Sequence, residues 1–127
     1  YNKLAANHFK DRRSGKIVNI SSINGLRGKF GQTNYSAAKG GEIALTKALA
    51  KELGKFNVNV NCVCPGMVMT EMARGIGQEF LDKAIDETVL GRIAQPDDVA
   101  NLVVFLCSEK ARHITGEVIK IDGGQYI

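Results

Sequence analysis

Apolar residues recur at helical spacing from the start of the chain. Tyr1, Leu4, Ala5, His8 and Phe9 fall at i, i+3, i+4, i+7 and i+8, which predicts an amphipathic helix over residues 1–13 with Gly15 as its stop signal. His8 lies on that stripe and is expected to be packed. The run Lys16-Ile17-Val18-Asn19-Ile20 then predicts a strand over 16–21. A glycine-rich connection follows, with Gly25, Gly28 and Gly31 at a G-x-x-G-x-x-G spacing. That spacing is neither the dinucleotide fingerprint nor a P-loop, so a flexible turn is expected there rather than a phosphate cradle. A long helical pattern over 35–53 ends at Gly54. Its small residues Ala37, Gly41, Ala44 and Ala48 form a row suited to close approach by a sheet or a partner helix. Lys47, Lys51 and Lys55 occupy another, solvated face.

The second half alternates differently. Val58, Val60, Cys62 and Cys64 interleave with Asn57, Asn59, Asn61 and Val63, a period of two that predicts a strand stopped by Pro65-Gly66. Residues 71–91 are irregular, with a helix expected over 79–89. Pro96 with Asp97 and Asp98 marks a helix start, proline in the first turn and acids at the positive end of the dipole. Val99, Leu102, Val103 and Leu106 are its buried stripe. Residues 117–121 read as a last strand ended by Asp122-Gly123-Gly124, and His113 before it is expected to be exposed. The order α, β, α, β, α, α, β implies parallel strands joined by crossover helices, an α/β fold.

Composition narrows the class. The chain has 127 residues, of which 44% are hydrophobic and 24% charged, as in an ordinary globular domain. Its longest apolar run, 102–107, is far too short to span a membrane. The net charge of +4 is spread along the chain, with no basic cluster interleaved with aromatics, so neither nucleic acid nor membrane is expected as a partner. Cys62, Cys64 and Cys107 are odd in number and have no nearby His. They read as structural thiols in a reducing, cytoplasmic setting, and no metal site is expected. The chain begins at Tyr1 rather than Met, which reads as a cut inside a longer product.

The candidate chemistry gathers around residues 22–39. Ser22 stands at the carboxyl end of the first strand, where open α/β sheets place ligands. Tyr35 and Lys39 stand at i and i+4 near a helix start and share a face. A free phenol titrates near pH 10, so acid–base work at neutral pH needs about 4 kcal/mol of preferential phenolate stabilisation. One ammonium at about 4 Å supplies about that much at an effective dielectric near 20. Taken singly, the three side chains also fit a packing role, a solvated charge and a turn. Their combination is what points to catalysis.

The segments Asn19-Ile20-Ser21-Ser22, Tyr35-x-x-x-Lys39, Cys64-Pro65-Gly66-Met67-Val68-Met69-Thr70 and Asp122-Gly123-Gly124 resemble the short-chain dehydrogenase/reductase family. They are most similar to the branch that includes the 3-oxoacyl-carrier-protein reductases. The resemblance covers essentially the whole chain but only the second half of the family's usual length. It implies a single partial domain over 1–127, the C-terminal half of a doubly wound parallel (Rossmann-type) sheet with flanking helices. It further implies an NAD(P)-dependent oxidoreductase interconverting a ketone and a secondary alcohol. Tyr35 would be the acid/base, Lys39 its tuning partner and Ser22 the hydrogen-bond partner of the reacting oxygen. Tyr35, Lys39, Pro65, Gly66, Val68 and Thr70 would hold NAD or NADP, Val68 and Thr70 at the nicotinamide carboxamide. The family's phosphate loop, cofactor-choosing residue and catalytic Asn belong to a first half that this sequence does not contain. The partners implied are a small carbonyl or alcohol substrate and other copies of the chain, in a dimer or tetramer. Two other readings stay open, an inactive dimerising fragment or module and a phosphate-binding domain using the Gly25–Gly31 loop.

Overall fold

The structure is a computed structural model and describes residues 1–127. Helix α1 (Asn2–Arg12) leads into strand β1 (Gly15–Ile20). A short helix α2 (Ile23–Arg27) and the long α3 (Thr33–Leu53) connect it to β2 (Val58–Pro65). Helices α4 (Glu71–Arg74), α5 (Gln78–Asp86) and α6 (Pro96–Cys107) then lead to β3 (Val118–Ile121). The three strands are all parallel, in the order β1-β2-β3. Ile17 lies opposite Val60, and Pro65 opposite Ile121. The α/β class, the strands and the crossover helices are as the sequence pattern implies.

The sheet is covered on both faces. Ile17, Val58 and Val60 pack with Ala6 of α1 and with Ala50 and Leu53 of α3. Cys62 and Cys64 continue that face against Ile23 and Ile43. Val63 points the other way and packs with Leu106 of α6 and Ala111, flanked by Val99, Leu102 and Val103. Leu53 and Leu106 are essentially fully buried, each contributing roughly 1.5–3 kcal/mol by area. Helix α6 starts where Pro96 and the acids indicate, and the Asp98 carboxylate accepts the Gln95 backbone N–H at 2.8 Å.

Central position changes how β2 reads. Its alternation puts the asparagines on one face, and every residue from Val58 to Cys64 on either face is buried. Asn59 donates its side-chain amide to the carbonyls of Arg112 and Ile114 at 3.0 and 2.9 Å. Asn61 donates to Ile114 O at 2.9 Å and accepts the Glu117 N–H at 3.1 Å. These amides replace water as partners and tie down the loop before β3, so burial costs little.

Other expectations are corrected. On α1 the buried residue is Ala6, while His8 is exposed and Leu4 is 74% exposed, because the sheet meets a neighbouring stripe of the helix. The glycine-rich connection is no flexible turn over its first part, because α2 forms there with Ser22 as its cap. The small-residue row Ala37, Gly41, Ala44 and Ala48 is exposed, and α3 meets the sheet through Ile43, Thr46, Ala50 and Leu53 instead. The helix expected over 79–89 is Gln78–Asp86 and is preceded by α4. Two expectations hold in the same region: Cys62 and Cys64 are buried and His113 is exposed, while Cys107 is exposed as well.

Candidate active site

The site forms at the carboxyl ends of β1 and β2. Ser21 extends the β1 ladder, its N–H donating to Val63 O at 2.8 Å, and its hydroxyl donates to Lys39 O at 2.7 Å. The strand end and the first turns of α3 are thereby fixed to each other. Ser22 then caps α2, its hydroxyl oxygen accepting the Asn24 N–H at 3.1 Å. It is 8% exposed, and its own proton remains free to donate. Gly25 lets α2 lie against α3, since a Cβ there would stand 2.7 Å from the Lys39 carbonyl carbon and 2.9 Å from Gly40 N.

Tyr35 sits in the first turn of α3 and is 44% exposed. It lines an open cleft of about 190 Å³ together with Ser22, Gly66 and Met67. Gly66 must be glycine, because a Cβ would fall 2.5 Å from Gln125 Oε1 and 2.9 Å from Asp122 Cβ. Its N–H donates to Ile121 O at 3.2 Å, so the turn after β2 is locked to the end of β3.

Lys39 is placed otherwise than the i, i+4 spacing suggests. Its ammonium donates to Ile20 O at 2.9 Å and pairs with the Glu42 carboxylate at 3.0 Å, beside the cleft rather than in its lining. Pro65, Val68 and Thr70 also lie outside that lining. Val68 bridges to Ala94, and the Thr70 hydroxyl caps α4 by accepting the Ala73 N–H at 3.2 Å. The structure thus brings Ser22, Tyr35 and Gly66 to one cleft and sets the other four around it.

Further lining residues escape a reading of the sequence, among them Asn24, Arg27, Gln32 and Gln125. Asn24 donates to Gln32 Oε1 at 3.1 Å and accepts from Arg27 Nε at 3.1 Å. Arg27 pairs with Glu87 at 3.4 Å. Gln125 accepts the Met67 N–H and donates to Glu87, both at 3.0 Å. That hydrogen bond first, and the Arg27 charge after it, hold the Glu87 carboxyl below its ordinary value of 4.5. The contacts join residues 38 and 60 positions apart, so no local signal marks them. Beneath the serines, the hydrogen bond to Cys62 and burial push the Cys64 thiol up, which keeps it protonated and inert. No cluster of three or more His, Cys, Asp or Glu forms a candidate metal site.

A phenol and a hydroxyl on one cleft can together hold one substrate oxygen and exchange a proton with it. The family described as enoyl-(acyl carrier protein) reductase matches residues 2–125. The acetoacetyl-CoA reductase of Shinella zoogloeoides is 49% identical over 119 residues, covering 93% of this chain and 49% of that protein. The 3-oxoacyl-[acyl-carrier-protein] reductase of Aquifex aeolicus is 50% identical over 115 residues, 91% of this chain and 46% of that protein. The crystal structure of 3-oxoacyl-[acyl-carrier protein] reductase from Brucella melitensis superposes with a TM-score of 0.90 at 32% identity, covering 95% of this chain and 46% of that one. The chain therefore spans about half the length of the curated relatives it matches.

Proposed function

The chain belongs to the short-chain dehydrogenase/reductase family, and from that premise we propose that the complete protein reduces a 3-oxoacyl thioester to the secondary alcohol with NADH or NADPH. The observation that carries this reading is the shared cleft of Ser22 and Tyr35 at the carboxyl ends of the strands. The donor set of phenol, hydroxyl and nearby ammonium suits the nicotinamide end of the dinucleotide and the reacting ketone. Tyr35 and Lys39, with Pro65, Gly66, Val68 and Thr70 on the turn after β2, would hold that end. The cofactor, when bound, supplies hydride to the carbonyl carbon. Ser22 donates a hydrogen bond to the carbonyl oxygen and fixes its position. Tyr35 transfers its phenolic proton to that oxygen, so ketone, hydride and proton together give the alcohol. Lys39 stabilises the phenolate left behind. The test is nicotinamide oxidation by the complete protein with acetoacetyl-CoA and with the acyl-carrier-protein thioester. Turnover on either supports the reading, and none on both overturns it.

For the 127 residues alone a second reading is favoured, that of a fragment or module without turnover. The open edge of β1 and the lack of a glycine-rich phosphate loop support it. Titration of this chain with NADH and NADPH tests it, and a micromolar Kd would contradict it. The exposed small-residue row of α3, with Val104 and Phe105 of α6, further favours a homo-oligomer, a dimer or tetramer.

A further inference from the structure

The chain after β3 returns to the candidate cleft along a tightly tied path. The Asp122 carboxylate accepts the Gly124 and Tyr126 N–H groups at 3.1 and 2.9 Å. Gly123 and Gly124 then lie directly on the segment after α5. A Cβ would stand 2.7 Å from Thr88 Cγ2 at the first and 2.8 Å from Val89 Cβ at the second, and both have positive φ. The Leu90 N–H donates to Gly123 O at 3.1 Å. This backbone delivers Gln125 to the wall of the cleft, which it lines with Ser22, Tyr35 and Gly66. There its amide joins two segments, Oε1 accepting the Met67 N–H and Nε2 donating to Glu87, both at 3.0 Å. A backbone N–H only donates and a carboxylate only accepts, so one orientation of the amide satisfies both. Glu87 also pairs with Arg27 of α2 at 3.4 Å. Arg27, Glu87, Gln125 and Met67 thus bring four separate stretches of chain together at the cleft.

We propose that Gln125 is a positioning residue of the reduction: oriented by Glu87, its amide holds the Met67 N–H and so fixes the Gly66 turn in the cleft that Ser22 and Tyr35 share. The inference rests on the proposed reduction and deepens it. Gln125 moves no proton and acts only through the backbone it holds. Met67 follows Gly66 directly, and Gln125 Oε1 stands only 2.5 Å from where a Gly66 Cβ would be, so the amide and the turn are fitted to each other. A displacement of about 1 Å in such a support costs up to about a hundredfold in rate although every reacting group is still present.

The test exchanges the two polar groups in the complete protein and reads kcat and KM on acetoacetyl-CoA and on the acetoacetyl carrier protein, with urea midpoints to establish folding. Gln125→Glu sets a carboxylate against Glu87, and their repulsion draws the oxygen away from Met67. A fall of about tenfold is expected, more in kcat than in KM. Adding Glu87→Gln to Gln125→Glu restores a donor facing an acceptor, and the new amide oxygen still accepts from Arg27. The double variant is expected to recover to within about threefold of wild-type kcat, a coupling that separate losses of stability would not produce. Gln125→Ala removes both hydrogen bonds without adding charge and decides the matter if Gln125→Glu does not fold; it is expected to lose several-fold in kcat. Wild-type kcat in Gln125→Glu or in Gln125→Ala overturns the inference, as does a folded double variant no faster than Gln125→Glu alone. A wild-type protein inactive on both thioesters overturns the proposed reduction itself.

Discussion

Lys39 and Glu42 form an ion pair at 3.0 Å within one turn of α3, and the same ammonium donates to Ile20 O at 2.9 Å. The cation that the sequence assigns to Tyr35 is therefore shared with a carboxylate and a strand-end carbonyl. Glu42 draws on the same positive charge that would stabilise a phenolate at Tyr35.

Replacing Glu42 with Gln in the complete protein should strengthen the positive field at the cleft. The pH–rate profile is expected to move to lower pH by about 0.3 unit, the scale of an exposed i, i+3 pair. Lys39→Ala is expected to move it to higher pH and to lower kcat/KM. The check is kcat/KM measured across pH for both variants. A profile unmoved by either change would remove Lys39 from the proton-transfer step.

Gly25 sets the distance between α2 and α3. Gly25→Ala places a methyl group 2.7 Å from the Lys39 backbone, so the helices must separate. A loss of about 1–3 kcal/mol is expected, the usual cost of overpacking. Gly41→Ala meets nothing within 4 Å and is expected to gain up to about 1 kcal/mol from helix propensity. Urea unfolding of the two variants checks the contrast. Equal effects would mean that the α2–α3 approach is not tight.

Glu87 gives a pH signature. Its carboxyl is held below the ordinary value by Gln125 and Arg27, so the unfolded chain binds the proton more readily than the folded one. The stability it contributes is present above about pH 4.5 and is lost as pH falls through the lower, folded value. With its side chain 42% exposed, that contribution is expected to stay under about 1 kcal/mol. Glu87→Gln should therefore be less stable than wild type at pH 7, with the gap closing towards pH 3. A gap of constant size across that range would mean the carboxylate charge plays no part.

Much of this arrangement was legible in the sequence. Gly54, Pro65-Gly66 and Pro96-Asp97-Asp98 punctuate the chain strongly enough to separate β2, α3 and α6. Ser22 at a strand end and Tyr35 at a helix start suffice to suggest that they share a crevice, and they line one cleft. The illegible parts depend on distant partners. Asn59 and Asn61 have no visible partners until the carbonyls of Arg112 and Ile114 come to meet them from across the chain. The short helix α2 is hidden by its glycine and depends on the Ser22 cap and on contact with α3. The i, i+4 spacing of Tyr35 and Lys39 gave no weight to Glu42, three residues further on, which competes for the same cation.

The central claim is that Tyr35 is the proton donor. It is tested most directly by Tyr35→Phe in the complete protein, reading kcat/KM on acetoacetyl thioesters alongside nicotinamide binding. The substitution removes one oxygen from a partly exposed side chain, so fold and cofactor affinity should survive. The expected result is a fall of at least about a hundredfold in kcat/KM, the scale of a lost general acid, with the cofactor Kd changed by less than about twofold. A variant keeping more than about a tenth of wild-type kcat/KM would have lost under about 1.4 kcal/mol of transition-state stabilisation, and that result would contradict the assignment.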